Sequence, residues 1–248
     1  MSGALVAALL SAALLGFRHG FDYDHIAAIT DITSVQSEPR AAMRLGLLYA
    51  LGHATTVAVL GTVVILFQLN LPARMDRIAE RLVGLTLIAL GLYVISCLVR
   101  RKHNHLGLSR VALALNGARW VGWKTRSVFR PDIPRPQAFR FQYDRRSAFI
   151  IGIIHGLGAE TPTQIVVFLL AANLGGIGKG FLGLGLFIVG LLVMNTIMTA
   201  SAAGIFRISF NRPAVLTFVM CLTAAYSLII GVTFLAGASS LLPALGGG

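Results

Sequence analysis

The sequence is poor in charged side chains, and acidic ones are the scarcest. Of its 248 residues, 12% are charged and only 9 are Asp or Glu, whereas 56% are hydrophobic. A soluble domain carries about 25% charged residues. Apolar runs of about 20 residues recur along the chain, and runs of this length cross a bilayer as helices. The composition therefore excludes an ordinary soluble domain and predicts a multi-pass membrane protein.

Cysteine is also scarce, and a nucleotide-binding loop is absent. The 2 cysteines, Cys97 and Cys221, lie in apolar segments, so we expect two buried thiols rather than a disulfide. No Gly-x4-Gly-Lys-(Ser/Thr) sequence occurs, which excludes ATP hydrolysis by a P-loop in this chain. Energy for any transport would come from the membrane potential, an ion gradient or a separate partner.

The apolar runs predict an all-α, polytopic transmembrane helical bundle with six spans. These are residues 3–31, 43–69, 80–99, 147–172, 180–206 and 213–237. The first is longer than one span needs, which favours a tilt or a break near Gly16 and Gly20. The chain thus divides into membrane helices 1–3 (1–99), a basic loop (100–146) and membrane helices 4–6 (147–248).

Positive charge is concentrated in the 100–146 loop. Smaller basic groups lie in two further loops: Arg40, Arg44, Arg207 and Arg212. With six spans, these three loops share one side, which the positive-inside rule makes cytoplasmic, although Arg74, Arg77 and Arg81 oppose this orientation. Because the basic residues are mostly confined to one loop, we expect contact with anionic lipid headgroups and no nucleic acid. A binding module containing Trp120 and Trp123 is the alternative for this loop.

The most polar part of the first segment is residues 18–25, Arg-His-Gly-Phe-Asp-Tyr-Asp-His. An Asp near a transmembrane helix centre costs roughly 2.5–3.5 kcal/mol, so pairing, water or a metal ion must offset it. If residues 19–25 are helical, His19, Asp22 and His25 fall within an arc of roughly 120°, while Asp24 points away. Imidazole and carboxylate together suit first-row divalent metal ions.

Polar residues recur in the later segments. His53 follows Gly52 in the second segment and is either a metal ligand or a packing residue. His155 and Glu160 in the fourth segment are stronger candidates, because Glu160 is the only acidic residue of 147–248. Asn195 in the fifth segment is a weaker candidate, for which an interhelical hydrogen bond is the favoured interpretation.

The two polar clusters share one pattern. His155, Gly156 and Glu160 repeat His19, Gly20 and Asp24 at a spacing of 136 residues. Three predicted spans separate the copies, so the second copy would be inverted across the bilayer. Secondary transporters are often built from such inverted repeats, with the binding site at the repeat interface. The pattern therefore favours a 3+3 inverted repeat.

Three motifs resemble signatures of the nickel/cobalt transporter (NiCoT) family. His19-x4-Asp24-His25 looks like the His-x4-Asp-His signature of that family. Residues 51–57 resemble its Leu-Gly-His-Ser-(Ser/Thr)-Val motif, and residues 157–164 are similar to its Leu-Gly-x-Asp-Thr-Ala-Thr-Glu motif. The resemblance implies high-affinity uptake of Ni²⁺ or Co²⁺ across the cytoplasmic membrane.

The resemblance also assigns roles, and the chain departs from the family pattern in places. It implies that the metal is bound by His19, Asp24, His25 and His53. It also points to Glu160 as a further ligand. Glu160 stands where the family has Asp, and Gln164 where it has Glu, so one carboxylate is lost. Family members typically have eight spans with the signature in the second, whereas here it lies in the first of six. Helical geometry favours Asp22 as the ligand, and the family pattern favours Asp24.

The predicted function is secondary transport of Ni²⁺ or Co²⁺ by a non-enzymatic protein of the inner (cytoplasmic) membrane. The metal is the transported substrate, and no permanent cofactor is expected. The candidate metal ligands are His19, Asp22, Asp24, His25, His53, His155 and Glu160. The expected partners are the metal ion, membrane lipids and, downstream, a metalloenzyme maturation pathway. The alternatives are an exporter or a transporter of another solute, a membrane metalloenzyme, and a protein whose polar residues only join helices.

Overall fold

A computed structural model describes residues 2–67, 73–102, 120, 123–124, 144–157, 169–170 and 172–242. Within these residues the chain is helical and forms no strand, which confirms the all-α prediction. The helices are α1 Gly3–His19, α2 Tyr23–Ser34, α3 Pro39–Phe67, α4 Ala73–Lys102, α5 Arg145–His155, α6 Ile177–Phe210 and α7 Pro213–Leu235. A 3₁₀ turn follows at Ser239–Leu241.

Four of these helices are long and apolar enough to cross a bilayer: α3, Arg77–Val99 of α4, α6 and α7. α1 and α2 together form a fifth candidate span, bent by 47°. The outer faces of the helices carry large apolar side chains, such as Leu14 and Phe218, which are 69% and 67% exposed. Such faces suit lipid rather than water, and the multi-pass prediction is confirmed.

Two predictions need correction. The fourth segment, 147–172, is not one continuous helix, because α5 ends at His155 and a turn follows; most of the rest lies outside the described residues. The two thiols are not both buried, since Cys97 is half-buried and Cys221 is exposed. Cys221 lies on the outward face of α7, where an apolar thiol can contact lipid as readily as the core.

The break in the first span falls at Gly20, as the sequence predicted. The last turn of α1 tightens through hydrogen bonds from Phe21 N to Arg18 O and from Asp22 N to His19 O, at 2.8 and 3.1 Å. Such i to i+3 bonds satisfy helix-terminal carbonyls. A side chain at Gly20 would meet Met194 of α6 at 2.8 Å, so the chain turns where it lies directly against α6.

α1 packs against α6, and α5 packs against α3, through glycines. Gly16 of α1 lies against the Phe187 backbone of α6, and Gly152 of α5 lies against the Tyr49 backbone of α3. A methyl group at either glycine would overlap a carbonyl oxygen. Small residues permit this close approach of helices in lipid.

A pseudo-two-fold axis relates α1 and α3 to α5 and α6. The spacing of 136 residues between the two His-Gly pairs also separates Gly16 from Gly152, and 138 residues separate Tyr49 from Phe187. The two glycine contacts are therefore equivalent. Both helices that end in His-Gly also end alike, with the glycine as C-cap at φ −61° in α1 and −63° in α5.

Equivalent helices contact each other in antiparallel order. Gly46 of α3 meets Thr199 of α6, whereas Gly61 meets Leu184. Gly46 and Leu184 are 138 residues apart, and so are Gly61 and Thr199. Each α3 residue is therefore equivalent to the α6 residue of the other contact. An axis perpendicular to the helices produces this order, so the second set is inverted relative to the first. α1 and α3 are thus related to α5 and α6 in the way that an inverted repeat requires.

α2 lies at the centre of the bundle. It packs against α3, α4, α5, α6 and α7, and its Ala27, Ala28, Ile29 and Ile32 are fully buried in the main core. Hydroxyl groups within α2 donate to carbonyls of the preceding turn, as Thr33 does to Ile29 O at 2.7 Å. Self-satisfied hydroxyls of this kind are compatible with a helix shielded from water.

α5 begins with a capping box at the end of the basic loop. Asp144 Oδ1 accepts a hydrogen bond from Ser147 N at 2.8 Å, and the Ser147 hydroxyl oxygen accepts one from Asp144 N at 3.0 Å. These hydrogen bonds hold the pKa of the exposed Asp144 carboxyl below its usual range. The ionised cap fixes where α5 starts and therefore where His155 falls.

Candidate functional site

Three histidines from three helices form one buried cluster. His19 ends α1, His25 lies in the first turn of α2, and His53 lies in the middle of α3. They are 4%, 0% and 0% exposed. One ring nitrogen from each lies within 4.8 Å of the others, and the His25 and His53 ring centroids are 4.4 Å apart. We call these residues the histidine cluster.

Asp22 fixes the orientation of His19. Its carboxylate accepts a hydrogen bond from His19 Nδ1 at 2.7 Å, so the lone pair of that imidazole is on Nε2. His19 Nε2 lies 3.1 Å from His53 Nε2, which assigns the shared proton to His53. A carboxylate on the far nitrogen of a histidine is a common arrangement around metal ligands, where it fixes the ring and raises its basicity.

His25 and His53 retain nitrogens that could bind a ligand. Among the described residues, neither nitrogen of His25 has a hydrogen-bond partner, and His53 Nδ1 has none either. Buried polar atoms normally have partners, so orphaned nitrogens mark a place where a ligand would fit. Three neutral imidazoles are a donor set suited to Ni²⁺, Co²⁺, Cu²⁺ and Zn²⁺.

Asn195 of α6 lies beside the histidine cluster. Its amide faces the His25 ring, and neither its oxygen nor its nitrogen completes a hydrogen bond with any described residue. The interhelical hydrogen bond that the sequence favoured is therefore not completed within the described part of the chain. An amide oxygen in this position could complete a coordination sphere that the imidazoles begin.

A second polar group surrounds His155. The Tyr49 hydroxyl lies 3.1 Å from His155 Nδ1, and Thr86 Oγ1 of α4 lies 2.7 Å from Nε2. Thr86 uses its own proton on Val83 O, so His155 donates from Nε2 and accepts the Tyr49 proton at Nδ1. His155 is therefore a neutral imidazole with both nitrogens bonded.

Asp24 belongs to this second group and not to the histidine cluster. Its Oδ2 atom is 3.9 Å from His155 Nδ1, and the side chain is buried. The Tyr49 ring contacts both His25 and His155, with centroid distances of 5.9 and 5.5 Å. The two groups therefore adjoin each other through the Tyr49 ring.

The two groups are partly related by the pseudo-two-fold axis. His19 faces the Phe187 ring at 5.7 Å, and its counterpart His155 faces Tyr49. Beyond this pair the symmetry fails, because Leu191 occupies the α6 position equivalent to His53. Only the first half of the chain thus supplies a set of three imidazoles among the described residues.

The structure brings most of the predicted site residues into these two groups. His19, His25 and His53 meet directly, and Asp22 contacts His19. Asp24 and His155 lie in the adjoining group, whereas Glu160 lies outside the described residues. The arc of His19, Asp22 and His25 that a continuous helix would give is not formed, because α1 ends at His19 and α2 begins after Asp22.

Tyr49, Thr86 and Phe187 were not predicted. Nothing in their sequence surroundings marks a tyrosine, a threonine or a phenylalanine in an apolar helix as part of a site. The repeat could have indicated Tyr49 and Phe187, since the glycines that pack against them recur at the same spacing as the two histidines.

Comparisons with known proteins agree with this chemistry. The family described as high-affinity nickel-transport protein matches residues 5–243. A cobalt transport protein of Rhodococcus rhodochrous is 30% identical over 69% of this chain and 51% of its own length. A high-affinity nickel transport protein of Cupriavidus necator is 26% identical over 88% of this chain and 66% of its own length.

A more partial similarity links the chain to a urease accessory protein of Bacillus sp. strain TB-90, 26% identical over 37% of this chain and 40% of that protein. The chain spans about half to two-thirds of the length of the two transport proteins. No solved structure matches it.

Proposed function

The chain belongs to the family of high-affinity nickel-transport proteins (NicO), and on that premise we propose that it carries Ni²⁺ or Co²⁺ across the inner (cytoplasmic) membrane. The observation that supports this most is the histidine cluster, with its ligand atoms within 4.8 Å of one another. A cluster of buried imidazoles in a lipid-facing bundle has a cost, and binding of a divalent cation explains it.

In this proposal His19, His25 and His53 bind the metal, and Asn195 supplies an oxygen. Asp22 holds His19 with Nε2 available, and its negative charge partly offsets that of the cation. For His53 to bind through Nε2, the proton now between the two imidazoles must move to Nδ1. That nitrogen has no partner among the described residues, so the change breaks no other hydrogen bond.

Asp24 and His155 form the next stage of the metal path. The Tyr49 ring touches the histidine cluster on one side and His155 on the other, so the groups are contiguous. His155 could bind metal only if the Tyr49 hydroxyl or Thr86 released it, which suits a transient contact better than a resting site. Glu160 is included on the strength of the sequence repeat and of the family resemblance.

The transport is secondary, driven by gradients rather than by this chain's own chemistry. A membrane potential favours inward movement of a divalent cation by roughly 4.6 kcal/mol per 100 mV, twice the value for one charge. The metal is therefore cargo, and no catalytic step is assigned to the site. The similarity to a urease accessory protein fits a role in supplying metal for enzyme maturation.

Metal binding and transport by purified protein test the proposal. We expect stoichiometric binding of Ni²⁺ or Co²⁺ by the parent, loss of binding in His25→Ala and His53→Ala, and metal uptake into proteoliposomes. His155→Gln, which can keep one hydrogen bond, should bind metal like the parent but transport it more slowly. Glu38→Gln, at an exposed position before α3, is the control.

Specific results would contradict the proposal. A parent protein that binds and transports neither ion would indicate another solute. Normal binding in both His25→Ala and His53→Ala would remove the histidine cluster as the site. Turnover of a substrate by protein containing bound iron would instead favour a membrane metalloenzyme.

A further inference from the structure

Asp31 is a buried carboxyl group that the metal path does not use. It lies on α2 at the core of the bundle and is fully buried. Residues seven apart fall on one face of a helix, so Asp31 lies on the same side of α2 as Asp24. Two fully buried alanines, Ala27 and Ala28, separate the two carboxyl groups along the helix.

A serine of α7 is a polar neighbour of the Asp31 carboxyl group. Ser227 of α7 lies beside it and is also fully buried. Neither the two oxygens of Asp31 nor Ser227 Oγ completes a hydrogen bond with a described residue. The Asp31 carboxyl group and the Ser227 hydroxyl group therefore lie side by side, without completed hydrogen bonds to described residues, where α2 packs on α7.

Charged and titratable groups on the surrounding helices do not neutralise Asp31. They include Tyr49 and His53 of α3, Glu80, Tyr93 and Cys97 of α4, His155 of α5, Arg207 of α6 and Tyr226 of α7. Within the described part of the chain, no basic group comes within ion-pair distance of Asp31. Arg207 lines a crevice with Thr33 and Gln36, and the Tyr226 hydroxyl is directed to Tyr23 O at 3.5 Å.

An ionised carboxylate without a partner is very unfavourable in such a place, and a buried acid therefore takes up a proton. A metal or alkali cation would need several more oxygens. Nearby backbone carbonyls of α2 already accept hydrogen bonds from hydroxyl groups, as Ile29 O does from Thr33. A proton needs only one carboxyl oxygen and one acceptor, which Asp31 and Ser227 provide.

We propose that Asp31 is a proton-binding site of the transport cycle, separate from the histidine cluster. The inference rests on the proposed metal transport. In the conformation described, Asp31 is neutral and carries one proton. When the bundle rearranges and water reaches α2, the carboxyl group releases that proton to water and becomes a carboxylate. It takes up one proton again from the opposite side of the membrane before α2 is reburied, so each cycle moves one proton across the membrane at this residue.

The position on α2 explains why the proton and the metal would be linked. The same helix carries His25 and Asp24 in its first turn and Asp31 near its other end. A movement of α2 that opens the metal path would also change the surroundings of Asp31. The helix is bent away from α1 by 47° at Gly20, which gives it a hinge.

Proteoliposomes containing a pH-sensitive dye test the proposal with Ni²⁺ or Co²⁺ as the probe. The parent should show proton flux when the metal is added. Asp31→Asn preserves the shape of the side chain but cannot ionise, so metal-driven proton flux should fall at least tenfold while metal binding by the purified protein is unchanged. Glu38→Gln, which neutralises an exposed carboxyl, should behave as the parent.

A second variant covers the case in which Asp31→Asn does not fold. Ser227→Ala keeps the carboxyl group and removes its neighbour, so proton flux should persist with a shifted pH of half-maximal rate. Proton flux at the parent level in Asp31→Asn, or an unshifted pH profile in Ser227→Ala, would overturn the role of Asp31. Metal transport by the parent without proton flux would also overturn it, yet leave the proposed function intact. Absence of metal transport would instead reject the proposed function.

Discussion

Asp22 accepts a hydrogen bond from His19 Nδ1 at 2.7 Å, although it occupies the N-cap position of α2. An N-cap aspartate normally accepts from the first backbone amides of its helix and stabilises it by about 0.5–2 kcal/mol. Asp22 makes no such bond. Asp22 could cap α2, but it orients His19, the last residue of α1, instead. This hydrogen bond connects the two helices of the bent span at the histidine cluster.

Replacing Asp22 by Asn should weaken metal binding without removing it. The amide can still accept from His19 Nδ1, but it lacks the charge that strengthens the imidazole as a ligand. Loss of such a supporting group typically lowers metal affinity about 10–100-fold. Titration of the purified variant with Ni²⁺ and Co²⁺ measures the change.

Asp24→Asn is the matched comparison for this prediction, because Asp24 lies two residues away and contacts His155 instead. We expect its metal affinity to stay closer to that of the parent, with the larger loss in transport rate. An Asp24→Asn variant that binds metal more weakly than Asp22→Asn would reverse the assignment of the two carboxylates.

Asn195→Leu should reduce metal affinity by at least about tenfold, as expected for loss of a group around a bound metal. The substitution keeps a similar side-chain volume and removes the amide that faces His25. Thr199→Val, one turn further along α6, is the control, because the Thr199 hydroxyl already donates to Asn195 O at 2.7 Å. Equal affinities in both variants would remove Asn195 from the site.

Gly16→Ala and Gly152→Ala should destabilise the bundle by similar amounts, about 1–3 kcal/mol each, as overpacking does. Each added methyl group would overlap a carbonyl oxygen of the facing helix, at Phe187 or Tyr49. Thermal unfolding in detergent measures the effect. Gly204→Ala is the control: a Cβ there meets nothing within 4 Å, and alanine favours a helix by up to about 1 kcal/mol.

The sidedness of the 100–146 loop remains a prediction that labelling can check. In a background without Cys97 and Cys221, a single cysteine at exposed Lys124 should react with an impermeant maleimide only from the cytoplasmic side. A cysteine at exposed Gly178, before the fifth predicted span, should react only from the opposite side. The reverse pattern would invert the orientation.

The sequence predicted much of the bundle because helix formation in lipid is a local property. Length and apolarity locate a span, and Gly20 within a polar stretch marks a break. The fourth span was predicted as continuous because its His-Gly pair is embedded in apolar residues. Only comparison with the break at Gly20 in the first span indicates that a helix also ends at His155.

The sequence could not decide between Asp22 and Asp24, nor between the two roles of His53. The first choice depends on the bend at Gly20, which turns Asp22 towards His19 and Asp24 towards His155. The second depends on how α3 is rotated, and the contacts of α3 with α5 and α6 at Gly52 and Gly46 determine that rotation.

By itself, the sequence determined that the chain enters a membrane, that polar clusters interrupt its apolar spans, and that one cluster repeats in inverted form. These follow from composition and spacing. The tertiary structure alone decided that His53 joins His19 and His25, that His155 is held by Tyr49 and Thr86, and that Asp31 stands buried beside Ser227. Such meetings depend on glycine contacts between helices far apart in the chain, and hydrophobic periodicity does not encode them.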